Sequence, residues 1–156
     1  MKWPVGFEPH NSPVYVRNEI EIAAPPERIW RWLTRVARWP EWYPHSYAIE
    51  FVTGKPPDLA LGTEFRWSTF GFSSISRVII FEPPYELAWD ARGVLYAFHG
   101  WLIVPEENGK SRVVTEVCHN GIVPTLSWWA LRMVVHAAHQ TWLECLKQAA
   151  EGGEPP

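Results

Sequence analysis

Apolar and polar positions begin to alternate at Val14. Val14, Val16, Asn18, Ile20 and Ile22 take one face of an extended segment, and Tyr15, Arg17, Glu19 and Glu21 take the other. A period of two with one apolar face predicts a half-buried strand over 14–23, with Asn18 as the polar residue on its inner side. The pattern changes at Pro25-Pro26-Glu27, where proline fits the first helical turn and the acid suits its positive end. Ile29, Trp30, Leu33 and Val36 form the buried side of that helix. Trp39-Pro40 ends it, and residues 41–44 read as a second short helical turn or a loop. Six more strands follow, at 47–53, 62–70, 72–81, 86–92, 94–104 and 112–120, separated by Gly-, Pro- and Asp-bearing turns. Phe65, Trp67 and Thr69 oppose Glu64, Arg66 and Ser68. Leu87, Trp89 and Ala91 oppose Glu86, Ala88 and Asp90. In the last strand Val113, Thr115, Val117 and His119 oppose Val114, Glu116 and Cys118, and alternation leaves open which set faces inward. A solvated Glu116 favours the first set.

Residues 124–151 contain nothing after Pro124 that stops a helix, and Gly152-Gly153 supply an end. A rod of about 27 residues would be on the order of 40 Å long. Trp128, Leu131, Val135, Ala138, Trp142, Cys145, Leu146 and Ala149 share one side. Arg132, His136, Gln140, Glu144, Lys147 and Glu151 share the other, with His139 at the margin. So wide a stripe needs a large partner surface, and the remaining chain offers strands joined by short connections. The expectation is an α+β fold: a curved seven-stranded antiparallel sheet around the long C-terminal helix, with two short helices after strand 1. Residues 1–13 read as an irregular arm and 14–152 as a single domain. Trp129 and Met133 lie on the polar side of the rod. Either the arm, with Trp3 and Phe7, covers them, or they form a contact between subunits in a homodimer.

Composition narrows the function classes. The chain has 156 residues, long enough for one real core. A net charge of −3 supplies no basic field for nucleic acid. No apolar run approaches the ~20 residues of a membrane span, and the first residues lack the apolar centre of a signal peptide. Cys118 and Cys145 do not form a disulfide framework, which suits buried thiols in a cytoplasmic protein. The unusual feature is the number of indoles: Trp 11 demands large flat apolar surfaces, either as core or as cavity wall.

Several segments, in order, are similar to one known family. The passage Ile20-Glu21-Ile22-Ala23-Ala24-Pro25-Pro26-Glu27-Arg28-Ile29-Trp30 comes first, then Trp39-Pro40-Glu41-Trp42-Tyr43-Pro44 and Gly62-Thr63-Glu64-Phe65-Arg66-Trp67. Residues 78–87 with Trp89, His99-Gly100-Trp101, Ser111-Arg112-Val113 with Glu116 and Gly121, and 143–151 complete the set. Their order resembles the START-like superfamily (SRPBCC, or Bet v 1-like) and within it the polyketide cyclase/dehydrase group. The resemblance spans nearly the whole chain. It implies a helix-grip fold whose sheet wraps the C-terminal helix and leaves a cavity between them. Members bind lipids, sterols, polyketides or other apolar molecules, and some catalyse cyclisation or dehydration. Fold alone does not choose between these.

Trp67, Trp89, Trp101 and Trp142 fall at inward positions, and two arrangements fit them. They wall a pocket for a flat apolar ligand, or they pack on one another and fill it. Buried indole N–H groups need acceptors, so Asn18, Ser74 and Ser76 are candidate partners or ligand contacts. His99 and His139 are the candidates for acid–base catalysis, against the alternative of core histidines bonded to carbonyl groups. His136 and His139 are three residues apart on the rod, but His136 falls on the solvated side, so no metal is expected. The chain lacks a nucleophile elbow, a P-loop and a dinucleotide fingerprint, and no cofactor is expected. The leading function is binding of a hydrophobic small molecule (lipid, polyketide or aromatic) in an internal cavity. A polyketide cyclase, aromatase or dehydratase using the same cavity is the alternative. A protein-interaction role, as in the family's chaperone-activator branch, comes third.

Overall fold

The computed structural model describes residues 1–93 and 96–155. Seven strands form one antiparallel sheet in the order β1-β7-β6-β5-β4-β3-β2. They are β1 Val14–Ile22, β2 Ser46–Phe51, β3 Glu64–Thr69, β4 Phe72–Glu82, β5 Glu86–Gly93, β6 Tyr96–Pro105 and β7 Ser111–Asn120. Val94 and Leu95, the first residues of the expected sixth strand, lie outside the described residues. Helices α1 (Pro26–Thr34) and α2 (Trp39–Trp42) carry the chain from β1 at one edge to β2 at the other. After β7 come α3 (Ile122–Leu126) and α4 (Trp128–Gly152). This is the sheet and C-terminal helix that the polar–apolar pattern predicts, in the helix-grip arrangement that the family resemblance implies.

The expected single rod is two helices. Pro124 sits within the first turn of α3, where its missing N–H is harmless. Ser127, at φ −120° and ψ 24°, then breaks the run, and its carbonyl accepts the first α4 bond from the Leu131 N–H at 2.9 Å. The buried side also differs from the expected stripe. Trp128 is 52% exposed, whereas His139, Trp142, Leu143, Leu146 and Ala150 are buried. Burial is concentrated in the second half of α4, which lies between the sheet and α1. The first half spans a gap.

The C-terminal end of α4 is tied down on several sides. The Trp32 indole N–H donates to the Gly153 carbonyl at 3.0 Å, and Arg31 pairs with Glu154 at 2.6 Å. The Ala23 backbone N–H donates to Glu151 Oε1 at 2.8 Å, and Lys147 Nζ to the Glu21 carbonyl at 2.7 Å.

Residues 1–13 pack on the outer face of the sheet, away from α4. Trp3 meets Tyr15 and Phe98, with ring centroids 5.9 and 5.0 Å apart, and Phe7 packs with Ala88, Phe98 and Cys118. The arm therefore does not reach Trp129 and Met133, which remain 61% and 67% exposed. Its cover explains why β5, β6 and β7 are buried on both faces, unlike a sheet open to water on one side. At Gly100 a Cβ would run into the thioether end of Met1, which would have to shift to make room. Glu116 faces the same side, where Tyr15 Oη donates to it at 2.9 Å and Arg17 pairs with it at 3.4 Å. Its side chain is 12% exposed, so it is covered and bonded rather than freely solvated.

Candidate functional site

Between the sheet and the first half of α4 lies a cavity of about 200 Å³. Its floor is fully enclosed: Trp89, Trp142 and His99 are 0%, 2% and 4% exposed. Its mouth is not, because Phe70, Phe72 and Val134 line it while 48%, 57% and 61% exposed. β3 contributes Trp67 and Thr69, β5 Trp89 and Ala91, β6 Ala97 and His99, and β7 Val117 and His119. α4 closes the top with Leu131, Val135, Ala138, His139 and Trp142. Strand alternation delivers each of the sheet residues, since all occupy inward positions of their strands. Among the described residues that line the cavity, none is Asp, Glu, Lys or Arg.

Trp142 is the hub of the aromatic wall. It stacks on Tyr43 at 4.6 Å and 2°, and it meets Trp39, Trp101 and His99 edge-on at 5.2, 5.3 and 5.2 Å. Trp39 also touches Trp67 and Trp89, each at 5.5 Å. The indoles therefore do both things that the sequence allowed. Trp39 and Trp101 fill the core, whereas Trp67, Trp89 and Trp142 border empty space.

The polar atoms of the site divide sharply. Trp39 Nε1 donates to the Leu33 carbonyl and Trp67 Nε1 to Ser76 Oγ, both at 3.0 Å. By contrast, the indole N–H groups of Trp89 and Trp142, and Nδ1 of His119 and His139, have no hydrogen-bond partner among the described residues. His99 Nε2 and Thr115 Oγ1 share a hydrogen bond at 2.9 Å. The His99 ring lies 4.6 Å from that of His139 and stacks on Trp101 at 5.3 Å. Burial pushes the His99 imidazole well below its ordinary value, and the neighbouring His139 and His119 add to this. Burial likewise takes His139 down to about 3 and His119 to about 4. All three rings are neutral near pH 7. Burial also raises the Tyr43 phenol.

Of the residues expected at the site, His99, His139, Trp67, Ser74, Trp89 and Trp142 line this one cavity. Asn18, Ser76 and Trp101 do not. Asn18 Nδ2 instead bonds α4, at Gln140 Oε1 (3.1 Å) and the His136 carbonyl (3.3 Å). Ser76 is spent on the Trp67 indole, and Trp101 is enclosed behind the wall. Sequence reading did not assign Tyr43, Phe70, Phe72 and His119 to the site. His119 carried a signal, since it shares a strand face with Val117. Phe70 and Phe72 flank Gly71 in a two-residue turn, Thr69 pairing with Phe72. Phe70 has φ +47°, a conformation rare for an aromatic residue, and its ring stacks on His45 at 4.5 Å. No group of described residues forms a metal site, and no described helix is long and apolar enough to cross a membrane.

The family described as polyketide cyclase / dehydrase and lipid transport matches residues 13–151. No curated protein matches the chain. Among solved structures, a hypothetical protein from Helicobacter pylori superposes with a TM-score of 0.90 at 23% identity, over 96% of this chain and 95% of that one. An aromatase/cyclase from a Streptomyces species superposes with a TM-score of 0.73 at 16% identity, over 88% and 94%. Norcoclaurine synthase from Thalictrum flavum, in complex with dopamine and hydroxybenzaldehyde, gives 0.69 at 12% identity over 91% and 88%. These likenesses show a shared fold.

Proposed function

The chain belongs to the polyketide cyclase / dehydrase and lipid transport family of the START-like superfamily, and from that premise we propose that it binds a hydrophobic small molecule between its sheet and α4. The observation that carries this reading is the cavity itself, walled by Tyr43, Trp67, Trp89 and Trp142 and free of ionised side chains among its described lining residues. A ligand burying about 250 Å² of apolar surface gains roughly 6 kcal/mol. That corresponds to a dissociation constant on the order of 10–100 µM before ordering costs. Trp142 and Trp89 report on occupancy, so titration of intrinsic fluorescence with lipids, polyketide-like aromatics and simple arenes is the test. A saturable change is expected from at least one class. A flat response to every class up to millimolar concentration refutes the reading.

A second reading, a cyclase, aromatase or dehydratase working in the same cavity, is favoured by one observation: His99 and His139 face each other at 4.6 Å beside the empty space. Its weakness is chemical. An imidazole pushed to about 3 is a poor base near neutral pH. Both rings are better suited to hydrogen bonding than to moving protons. Assay of His99→Ala and His139→Ala on a poly-β-carbonyl substrate separates the readings. Turnover unchanged in both variants removes these residues from any mechanism.

A further inference from the structure

Three observations about the cavity are independent of one another. The first is size. An apolar cavity of about 150 Å³ accommodates benzene, so a cavity of about 200 Å³ has room for one or two rings within its walls. The second is charge. No described lining residue is ionised at neutral pH, and the three histidines that face the space are held neutral by burial. An ion entering this floor would lose its hydration and find no counter-charge. The third is the set of unused donors. Trp89 and Trp142, 0% and 2% exposed, line the cavity, and their indole N–H groups have no partner among the described residues. Buried donors are normally satisfied, and each exception calls for a partner. Nδ1 of His139, a residue 8% exposed, is unused as well. Trp101 Nε1 is equally unpartnered but does not line the cavity, so it is outside the set.

Resting on the binding reading above, we infer that the ligand is an uncharged aromatic of one or two rings bearing a hydrogen-bond acceptor of the carbonyl type. The acceptor is taken up by the indole N–H groups of Trp89 and Trp142. The rings lie among Tyr43, Trp67 and Leu131, and the mouth at Phe70 and Phe72 tolerates a substituent that reaches into water. Carboxylates of the same shape are excluded because both donors together carry only partial charge.

Matched probes test this. 2-Acetylnaphthalene, 2-isopropenylnaphthalene and 2-naphthoate share one outline and differ in acceptor and charge, and their binding to the full chain is measured by calorimetry at about pH 7.5. The ketone is expected to bind at least tenfold more tightly than the carboxylate. Its preference over the alkene is expected to exceed the ratio of their water-to-octanol partitioning. In Trp142→Phe and Trp89→Phe, which delete one N–H each, the ketone-to-alkene ratio should fall about tenfold. Equal binding of ketone and carboxylate overturns the inference, as does a ratio unchanged in both variants. Tighter binding of a sixteen-carbon fatty acid than of the ketone overturns it too. If either variant fails to fold, the wild-type comparison of the three probes still decides. Binding of the alkene without preference for the ketone sinks this inference and leaves the binding reading standing. Failure of every probe sinks this inference, and the binding reading falls only if lipids, polyketide-like aromatics and simple arenes all give the flat fluorescence response.

Discussion

Replacing His139 by glutamine should flatten the acid side of the stability curve. Burial keeps the His139 imidazole neutral in the folded chain down to about pH 3, whereas in the unfolded chain it takes a proton near pH 6.5. The facing groups are His99 from β6, His119 from β7 and His136 one turn earlier on α4, and none supplies a compensating negative charge. A base with a depressed folded pKa binds fewer protons when folded. Its contribution is therefore complete above about pH 7, and stability falls as pH drops through 6.5 toward 3. At about pH 5 the unfolded imidazole is stabilised by RT ln(1 + 10^1.5), roughly 2 kcal/mol. That figure is insensitive to the folded value so long as it stays well under 5. Urea denaturation of wild type and His139→Gln at about pH 7.5, 6.5, 5.5 and 5.0 gives the measurement. The variant is expected to lose about 2 kcal/mol less than wild type between the extremes, whatever its starting stability. Parallel curves would show that His139 titrates as if solvated and would refute the neutral-floor argument.

Other changes probe the packing. Ser76→Ala strands the Trp67 indole N–H, which it now satisfies at 3.0 Å. It should cost about 1–3 kcal/mol, and less in a Trp67→Phe background, a coupling that a double-mutant cycle on denaturation midpoints reads directly. Phe7→Ala empties the outer-face cluster and should cost about 3–5 kcal/mol. In a Cys145→Ser background it should also expose the buried Cys118 thiol, now raised by burial to about 11, to thiol reagents. Phe70→Asn places a residue that tolerates positive φ in the β3–β4 turn, relieving strain of about 1 kcal/mol. It should raise the melting temperature while weakening whatever fluorescence response the cavity ligands give.

The strands were legible because a period of two is a local property. β1 is buried at Val14, Val16, Asn18 and Ile22, as its alternation required. The helix break at Ser127 was not legible, since serine neither forces nor forbids a helix and only the path off β7 makes the turn necessary. Nor was the outer cover. Trp3 and Phe7 are set among proline and glycine without any period, so their docking on Phe98 and Cys118 follows from a tertiary fit that no spacing encodes. The candidate site was legible to the level of a face. Alternation turned Trp67, Trp89, His99 and Trp101 inward together. It could not tell the wall from the filling, because that depends on how high α4 rides over the sheet. Ser76 illustrates the limit. It was placed beside the indoles correctly as chemistry, yet it serves Trp67 and not a ligand.

The height of α4 also links the cavity to its unused donors. Its C-terminal half is clamped by Trp32, Arg31, Glu151 and Lys147, and Leu143, Leu146 and Ala150 pack there with no exposure. Its other half offers Leu131, Val135 and Ala138 to a floor of large rigid rings. These aliphatic side chains leave space beside Trp89 and Trp142, and they carry no acceptor. The void and the unmet N–H groups of Trp89 and Trp142 thus belong to the same residues. Leaving each donor unmet costs about 1–3 kcal/mol, and filling the space with more side chain would end the cost of the void alone. An occupant that brings its own acceptor relieves both, which is why the packing of this chain argues for a ligand more strongly than the size of the cavity does.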